Sequence, residues 1–239
     1  MPLLAVLVRT RNPGNLGAAA RAAKNFRAEL LLLDPRTEIL HPDAVAFASG
    51  AEELLKRVKI LGSFDDLLAR ADDVIALSSL RGRVSRGLPP PVTFEGISRS
   101  LRRGRRVALL FGPERGGLTT EELRRCDLRL RIPTSPAFPS LNLAQAVAIA
   151  LAFSLSSSFE APRRRRGNGG TDEEPATARD VRRLLENMKA TLSAAGYPGR
   201  GRNPQVIAEI DSFLKRGRPT AREVTLLLGA LAALGRRRS

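Results

Sequence analysis

Five short apolar runs punctuate the first part of the chain: Leu3–Val8, Leu30–Leu33, Asp73–Ser78, Arg106–Phe111 and Leu128–Ile132. Each is brief and bounded by charges or turn residues, which is how strands buried on both faces read. Val58–Ile60 can add another strand. Between the runs, Leu16–Phe26, Phe64–Ala71, Thr93–Arg102 and Thr119–Arg125 carry helical spacing. Alternation of this kind predicts an α/β domain, a Rossmann-like parallel sheet with helices on both faces. Helix-start signals agree: Asn15 precedes Leu16 as a cap, and Thr119 with Glu122 makes a capping box. Ser140 and Asn142 are cap residues ahead of Leu143–Phe159, a long Ala-rich helix that closes the first domain. The lone His41, beside Pro42, has no partner for metal or nucleophilic work and reads as a helix entry.

The composition then changes. Ala161–Ala178 holds Arg163–Arg166, three glycines and an acidic Asp172–Glu174 without apolar periodicity, as a flexible linker would. Thr177–Ala195, Asn203–Lys215 and Thr220–Leu234 follow as helices with apolar stripes, the last two entered at Asn203–Pro204 and Pro219–Thr220. The expected organisation is a domain over residues 1–160, a linker over 161–178 and a small helical domain over 179–239. Residues 163–239 carry 17 basic against 8 acidic side chains, and the chain as a whole is formally +16. A charge of that size points to a polyanionic partner, since each neutralised phosphate releases counterions. With aromatics at 4%, base stacking cannot dominate such binding, so phosphate and shape recognition must, with steep salt dependence. The single cysteine, Cys126, excludes an internal disulfide and a cysteine-rich metal cage, and it reads as a small half-buried residue. No apolar run approaches a membrane span and the N-terminal run is too short for a secretory signal, so a soluble cytoplasmic protein is expected.

Three loops carry the chemical signal. Arg11-Asn12-Pro13-Gly14-Asn15-Leu16-Gly17-Ala18-Ala19-Ala20-Arg21 follows a strand and opens a helix, where free N–H groups favour an anion. Arg21 lies six positions beyond Asn15, nearly two turns into the helix. Alone, this reads as an ordinary strand–helix turn with a solvated arginine. Phe111-Gly112-Pro113-Glu114-Arg115-Gly116-Gly117-Leu118 can approach a ligand closely, yet it fits neither G-x-G-x-x-G nor a P-loop. There Glu114 could bind a cation, hold Arg21 or face solvent. The third loop runs from Ile132 to Asn142 and is stiffened by Pro133, Pro136 and Pro139.

Together, in this order, the three loops resemble the SPOUT superfamily of RNA methyltransferases. They are most similar to its TrmJ-type tRNA cytidine/uridine 2′-O-ribose branch. Asn-Pro-Gly-Asn-Leu-Gly-Ala-Ala-Ala-Arg, Phe-Gly-Pro-Glu with Gly-Leu-Thr and Glu-Glu-Leu, and Pro-Ser-Leu-Asn-Leu-Ala-Gln-Ala-Val all fit that group, and the helical tail is similar too. The resemblance implies a C-terminal trefoil knot in the α/β domain, although knots are nearly absent from proteins in general. It implies S-adenosyl-L-methionine as cofactor, a homodimer, and tRNA as partner, with no metal. It assigns Arg21 as the central catalytic residue, with Asn15, Glu114, Ser140 and Asn142 positioning it and the ribose. Since a guanidinium stays protonated, Arg21 would serve as a held positive charge rather than as a simple base. The implied cofactor pocket takes Leu77, Ser78 and Ser79 from one loop, and Gly112, Pro113, Glu114 and Gly117 from the next. Ile132, Pro133, Ser140 and Leu141 complete it.

RNA contacts would come from Arg9, Arg11, Arg81, Arg83, Arg86 and the basic tail, and the implied target is the first nucleotide of the anticodon loop. A ribosomal-RNA 2′-O-methyltransferase and a non-catalytic RNA-binding protein with the same fold are the alternatives. A nicotinamide-dependent oxidoreductase fails for want of a glycine fingerprint and an acidic ribose partner.

Overall fold

A computed structural model describes residues 3–78, 88–160, 176–197, 205–217 and 219–236. Packing divides the chain into two compact units, Met1–Arg83 with Pro91–Arg164, and Val84–Pro90 with Arg165–Ser239.

The first unit is built on a seven-stranded sheet. Its strands are β1 (Leu3–Val8), β2 (Glu29–Leu33), β3 (Lys59–Leu61), β4 (Asp73–Leu77), β5 (Pro91–Val92), β6 (Val107–Phe111) and β7 (Leu128–Leu130). They lie in the order β3-β2-β1-β6-β4-β7-β5, and every pairing is parallel. The central strands β1 and β6 are buried along their whole length, which is why they read as unbroken apolar runs rather than alternating ones. The helices are α1 (Pro13–Asn25), α2 (Pro42–Ala48), α3 (Glu52–Lys56), α4 (Phe64–Arg70), α5 (Phe94–Arg102), α6 (Thr120–Arg125) and α7 (Leu143–Glu160). One core of Leu, Val, Ile and Ala joins the sheet to α1, α2, α5 and α7, with Phe111 as its buried ring.

The expected strands and helices are present, and three further elements appear. Helix α2 begins at the anticipated entry, where His41 Nδ1 accepts a hydrogen bond from the Asp43 N–H at 3.1 Å. It packs on α1 so closely that a Cβ on Gly17 would fall 2.1 Å from the Ala44 carbonyl oxygen. The other two are the short α3 and the two-residue β5. The cap of α1 also differs from expectation. It is Asn12, whose side chain accepts the Asn15 N–H at 2.9 Å, and Pro13 takes the first helical position. Proline is favoured at that position because its missing N–H would be unpaired there anyway. Asn15 thus lies inside the first turn with its side chain free for other work. Cys126 is fully buried rather than half-buried, and its Sγ donates to the Glu122 carbonyl at 3.3 Å.

In the second unit, α8 (Ala178–Ala194), α9 (Gln205–Gly217) and α10 (Ala221–Arg236) close around Val181, Leu184, Leu185, Leu214 and Val224. Capping boxes start α8 at Thr177–Asp180 and α10 at Thr220–Glu223. Residues 161–175 of the expected linker, and Asn203–Pro204, lie outside the described residues. Among the described residues, no helix is long and apolar enough to cross a membrane.

Candidate active site

Parallel strands bring the loops that follow them to one edge of the sheet. Leu7 pairs with Phe111, Ala76 with Leu110, and Leu77 with Leu130. The chain therefore leaves β1, β6, β4 and β7 side by side at the carboxyl ends of the strands, where ligands of open α/β sheets bind.

Glu114 organises this edge. Its Oε1 accepts the Thr10 hydroxyl at 3.2 Å, the Asn12 N–H at 3.1 Å and the Asn15 side-chain amide at 3.1 Å. Its Oε2 accepts the Arg11 N–H at 3.2 Å. Burial pushes the Glu114 carboxyl up, but the Asn15 amide and the surrounding backbone N–H groups outweigh it and hold the carboxyl below its ordinary value. The possibilities of cation binding, a bond to Arg21 or simple solvation give way to a fourth arrangement, a carboxylate clamped by the loop after β1.

From Asn15 the network continues to the third loop. Asn142 donates its side-chain amide to Asn15 Oδ1 at 2.8 Å. Asn142 Oδ1 in turn caps α7 by accepting the Ala144 N–H at 2.8 Å and the Gln145 N–H at 3.3 Å. The cap of α7 is therefore Asn142. Ser140, two residues earlier, is exposed and makes no capping bond.

Arg21 lies on the exposed side of α1, with no hydrogen-bond or ion-pair partner among the described residues. Arg9 has a partner far along the chain. Its guanidinium grips Glu122 through two hydrogen bonds, one of them at 3.0 Å, and Glu122 also accepts the Thr119 N–H at 2.7 Å. The Glu122 bond raises the pKa of Arg9. Burial pushes the Glu122 carboxyl up, and the bonds from Arg9 and Thr119 bring it below its ordinary value. Arg9, expected to contact RNA, is half-buried and pairs with Glu122. Arg11 alone of the two presents an exposed guanidinium, its backbone N–H being the part held by Glu114. Arg81, Arg83 and Arg86 lie outside the described residues, as does Ser79.

The residues expected around a cofactor line up along β6, β4 and β7. Leu77 ends β4, and the Ser78 N–H bonds the Leu130 carbonyl at 3.0 Å. Gly112 begins a loop that doubles back on itself: a Cβ there would lie 2.4 Å from the Leu118 nitrogen. Gly117 has φ of 65°, in the left-handed region that favours glycine, with open space where a side chain would be. Pro113, Ile132 and Leu141 are half-buried, while Pro133 is exposed.

The family model of the SpoU rRNA methylases matches residues 2–152, the whole stretch that carries these loops. The chain belongs to the SpoU rRNA methylase family. Within it, a tRNA (cytidine/uridine-2′-O-)-methyltransferase TrmJ of Yersinia pestis is 33% identical over 240 residues, covering 96% of this chain and 90% of the relative. The crystal structure of TrmJ from Z. mobilis ZM4 superposes with a TM-score of 0.72 at 28% identity, over 98% of this chain and 99% of that one. A structure concerned with 2-OH methylation of C/U34 on tRNA matches at 28% identity and a TM-score of 0.53, over 66% of this chain and 97% of that one.

For this SpoU methylase, two site residues escaped the sequence reading. Gln145 Oε1 accepts the Asn142 N–H at 3.3 Å, completing a reciprocal cap whose Asn-x-x-Gln spacing was a usable signal. Thr10 is fully buried against Glu114, and nothing in the sequence distinguishes it from any polar residue ending a strand. The described parts of the β6 and β7 loops also fit a nucleoside-bearing cofactor. Gly112 lets the chain fold back on itself, and Gly117 leaves open space where a side chain would be, beside half-buried Pro113, Ile132 and Leu141.

Proposed function

We propose that this chain transfers a methyl group from S-adenosyl-L-methionine to a ribose 2′-hydroxyl of tRNA. The observation that carries the reading is the bonded path from Glu114 through Asn15 to Asn142, which ties the loops after β1, β6 and β7 into one site. Membership of a methylase family and the near full-length likeness to TrmJ relatives support it.

When bound, the cofactor supplies a methyl group on a sulfonium, already a strong electrophile, so the protein's task is mainly alignment and charge. Leu77, Ser78, Ser79, Gly112, Pro113, Gly117, Ile132, Pro133, Ser140 and Leu141 would hold it. Arg21, exposed and unpaired among the described residues, stabilises the alkoxide that develops on the ribose or grips the adjoining phosphate. Asn15 and Asn142 fix the ribose side of the site, and Glu114 fixes Asn15. Arg11 meets the RNA backbone, and the helical unit over residues 179–239 adds its basic surface to tRNA binding. A homodimer, a trefoil knot in the first domain and a cytoplasmic location belong to the same reading.

The target is placed at the first nucleotide of the anticodon loop, with C/U34 as the competing position because of the structural relative concerned with it. Incubation with methyl-labelled cofactor and total RNA, followed by nucleotide-resolution mapping, tests all of this. Label is expected in tRNA at one ribose. Label confined to ribosomal RNA would move the substrate, and no label in any RNA would overturn the reading.

A further inference from the structure

Four donors converge on Glu114: the Thr10 hydroxyl, the Arg11 and Asn12 N–H groups and the Asn15 side-chain amide. Three of them crowd Oε1 and the fourth, the Arg11 N–H, takes Oε2, and an ionised carboxylate only accepts. An amide facing such an acceptor has no choice of orientation. Asn15 must present Nδ2 to Glu114 and Oδ1 away from it, and Oδ1 is where the Asn142 amide binds at 2.8 Å. Asn142 is thereby fixed as well, with its Oδ1 turned to the first turn of α7. Three of the four donors are loop N–H groups or the amide being oriented. Thr10 is different. It is fully buried, its hydroxyl donates to the same oxygen that Asn15 uses, and its carbonyl is held by the Arg36 N–H at 2.8 Å.

From this geometry we infer that Thr10 is a positioning residue for methyl transfer: its buried hydroxyl fixes the Glu114 carboxylate and, through it, the orientation of the Asn15 and Asn142 amides. The inference rests on the function proposed above. Thr10→Val keeps the shape of the side chain and removes the donor. Its kcat on tRNA should fall about tenfold, the order expected from losing one hydrogen bond to a charged group. KM for tRNA and cofactor affinity should stay within about twofold, since Thr10 touches neither. Thr10→Ser should recover most of the loss. The side-chain amide resonances of Asn15 and Asn142 should shift in the Val variant and return in the Ser variant. A Val variant with wild-type kcat, or unshifted amide resonances, overturns the inference. If Thr10→Val fails to fold, Thr10→Ala takes its place, and a loss of kcat that merely tracks unfolding in Ala also overturns it. The amide resonances require no turnover, so they report on Thr10 even if the wild-type protein methylates no RNA.

Discussion

The loop between β1 and α1 and the loop between β7 and α7 share the Asn15–Asn142 hydrogen bond, but little else in their construction is alike. The first spans Arg9–Asn12, and each of its residues is tied to another part of the fold. Arg9 N–H reaches the Leu33 carbonyl, the Thr10 carbonyl receives Arg36, and Arg11 and Asn12 donate to Glu114. The second spans residues 131–142, and its bonds before the α7 cap stay within the loop: Thr134 Oγ1 to the Pro139 carbonyl at 3.1 Å, and Phe138 N–H to the Ser135 carbonyl at 3.2 Å. Phe138 at its outer end is 75% exposed. One loop is organised before any substrate arrives, as groups that stabilise developing charge need to be. The other is stiffened by its prolines and keeps its outer face exposed.

The largest expected effect tests the organised side. Arg21→Ala should lower turnover by about 10²–10³, the range for removing one group that stabilises transition-state charge. Cofactor affinity and the circular dichroism spectrum should not change, because Arg21 is exposed and has no hydrogen-bond or ion-pair partner among the described residues. Arg21→Lys should recover only part of the loss, since a point charge does not reproduce the guanidinium fork. Near-wild-type turnover in Arg21→Ala would remove this residue from the chemistry.

Glu114→Gln comes next. The glutamine oxygen can keep the three donors at Oε1, but its NH2 then faces the Arg11 N–H, and the charge that strengthens all four bonds is lost. Turnover should therefore fall about tenfold and stability, at this exposed position, by about 1 kcal/mol. The pH dependence has a definite sign. Although burial acts the other way, the donors hold the Glu114 carboxyl below the ordinary value of 4.5, so its contribution is complete above that value and lost as pH falls through the lowered one. Denaturant unfolding of both proteins over an acid series should show their difference shrinking toward low pH. A constant difference would mean that the ionised clamp contributes nothing specific.

The same contrast explains what could be read from sequence. β1 was legible to the residue, because a strand buried on both faces has no polar position to blur its ends. Helix α2 was not, since its seven residues are held by the approach of Ala44 to Gly17, a contact between distant segments. The three site loops were found because Gly, Pro and Asn mark turns wherever they fall. What joins them was hidden. Glu114 meets Thr10, Asn12 and Asn15 across about a hundred residues of chain, and Arg9 meets Glu122 across a similar distance. Nothing in an arginine beside a site motif says that it pairs with a glutamate so far along the chain. The misplaced cap of α1 is a different kind of error, because Asn12-Pro13 already carried the signal of a cap followed by a proline.

The smallest expected effect bears on the second loop. Thr134→Val removes its one hydrogen bond, to Pro139 five residues away, and that bond anchors the loop to nothing beyond itself. Pro139 lies in an exposed stretch, so its carbonyl can turn to water without a desolvation penalty. Stability should therefore change by no more than about 0.5 kcal/mol, as for ordinary surface substitutions. Turnover should also hold, because Asn142 keeps its place through the α7 cap and Asn15 rather than through Thr134. Parallel thermal unfolding and tRNA methylation assays would decide the point. A loss comparable to that of Glu114→Gln would mean that the β7–α7 loop is held as tightly as its neighbour, and the contrast between the two would fail.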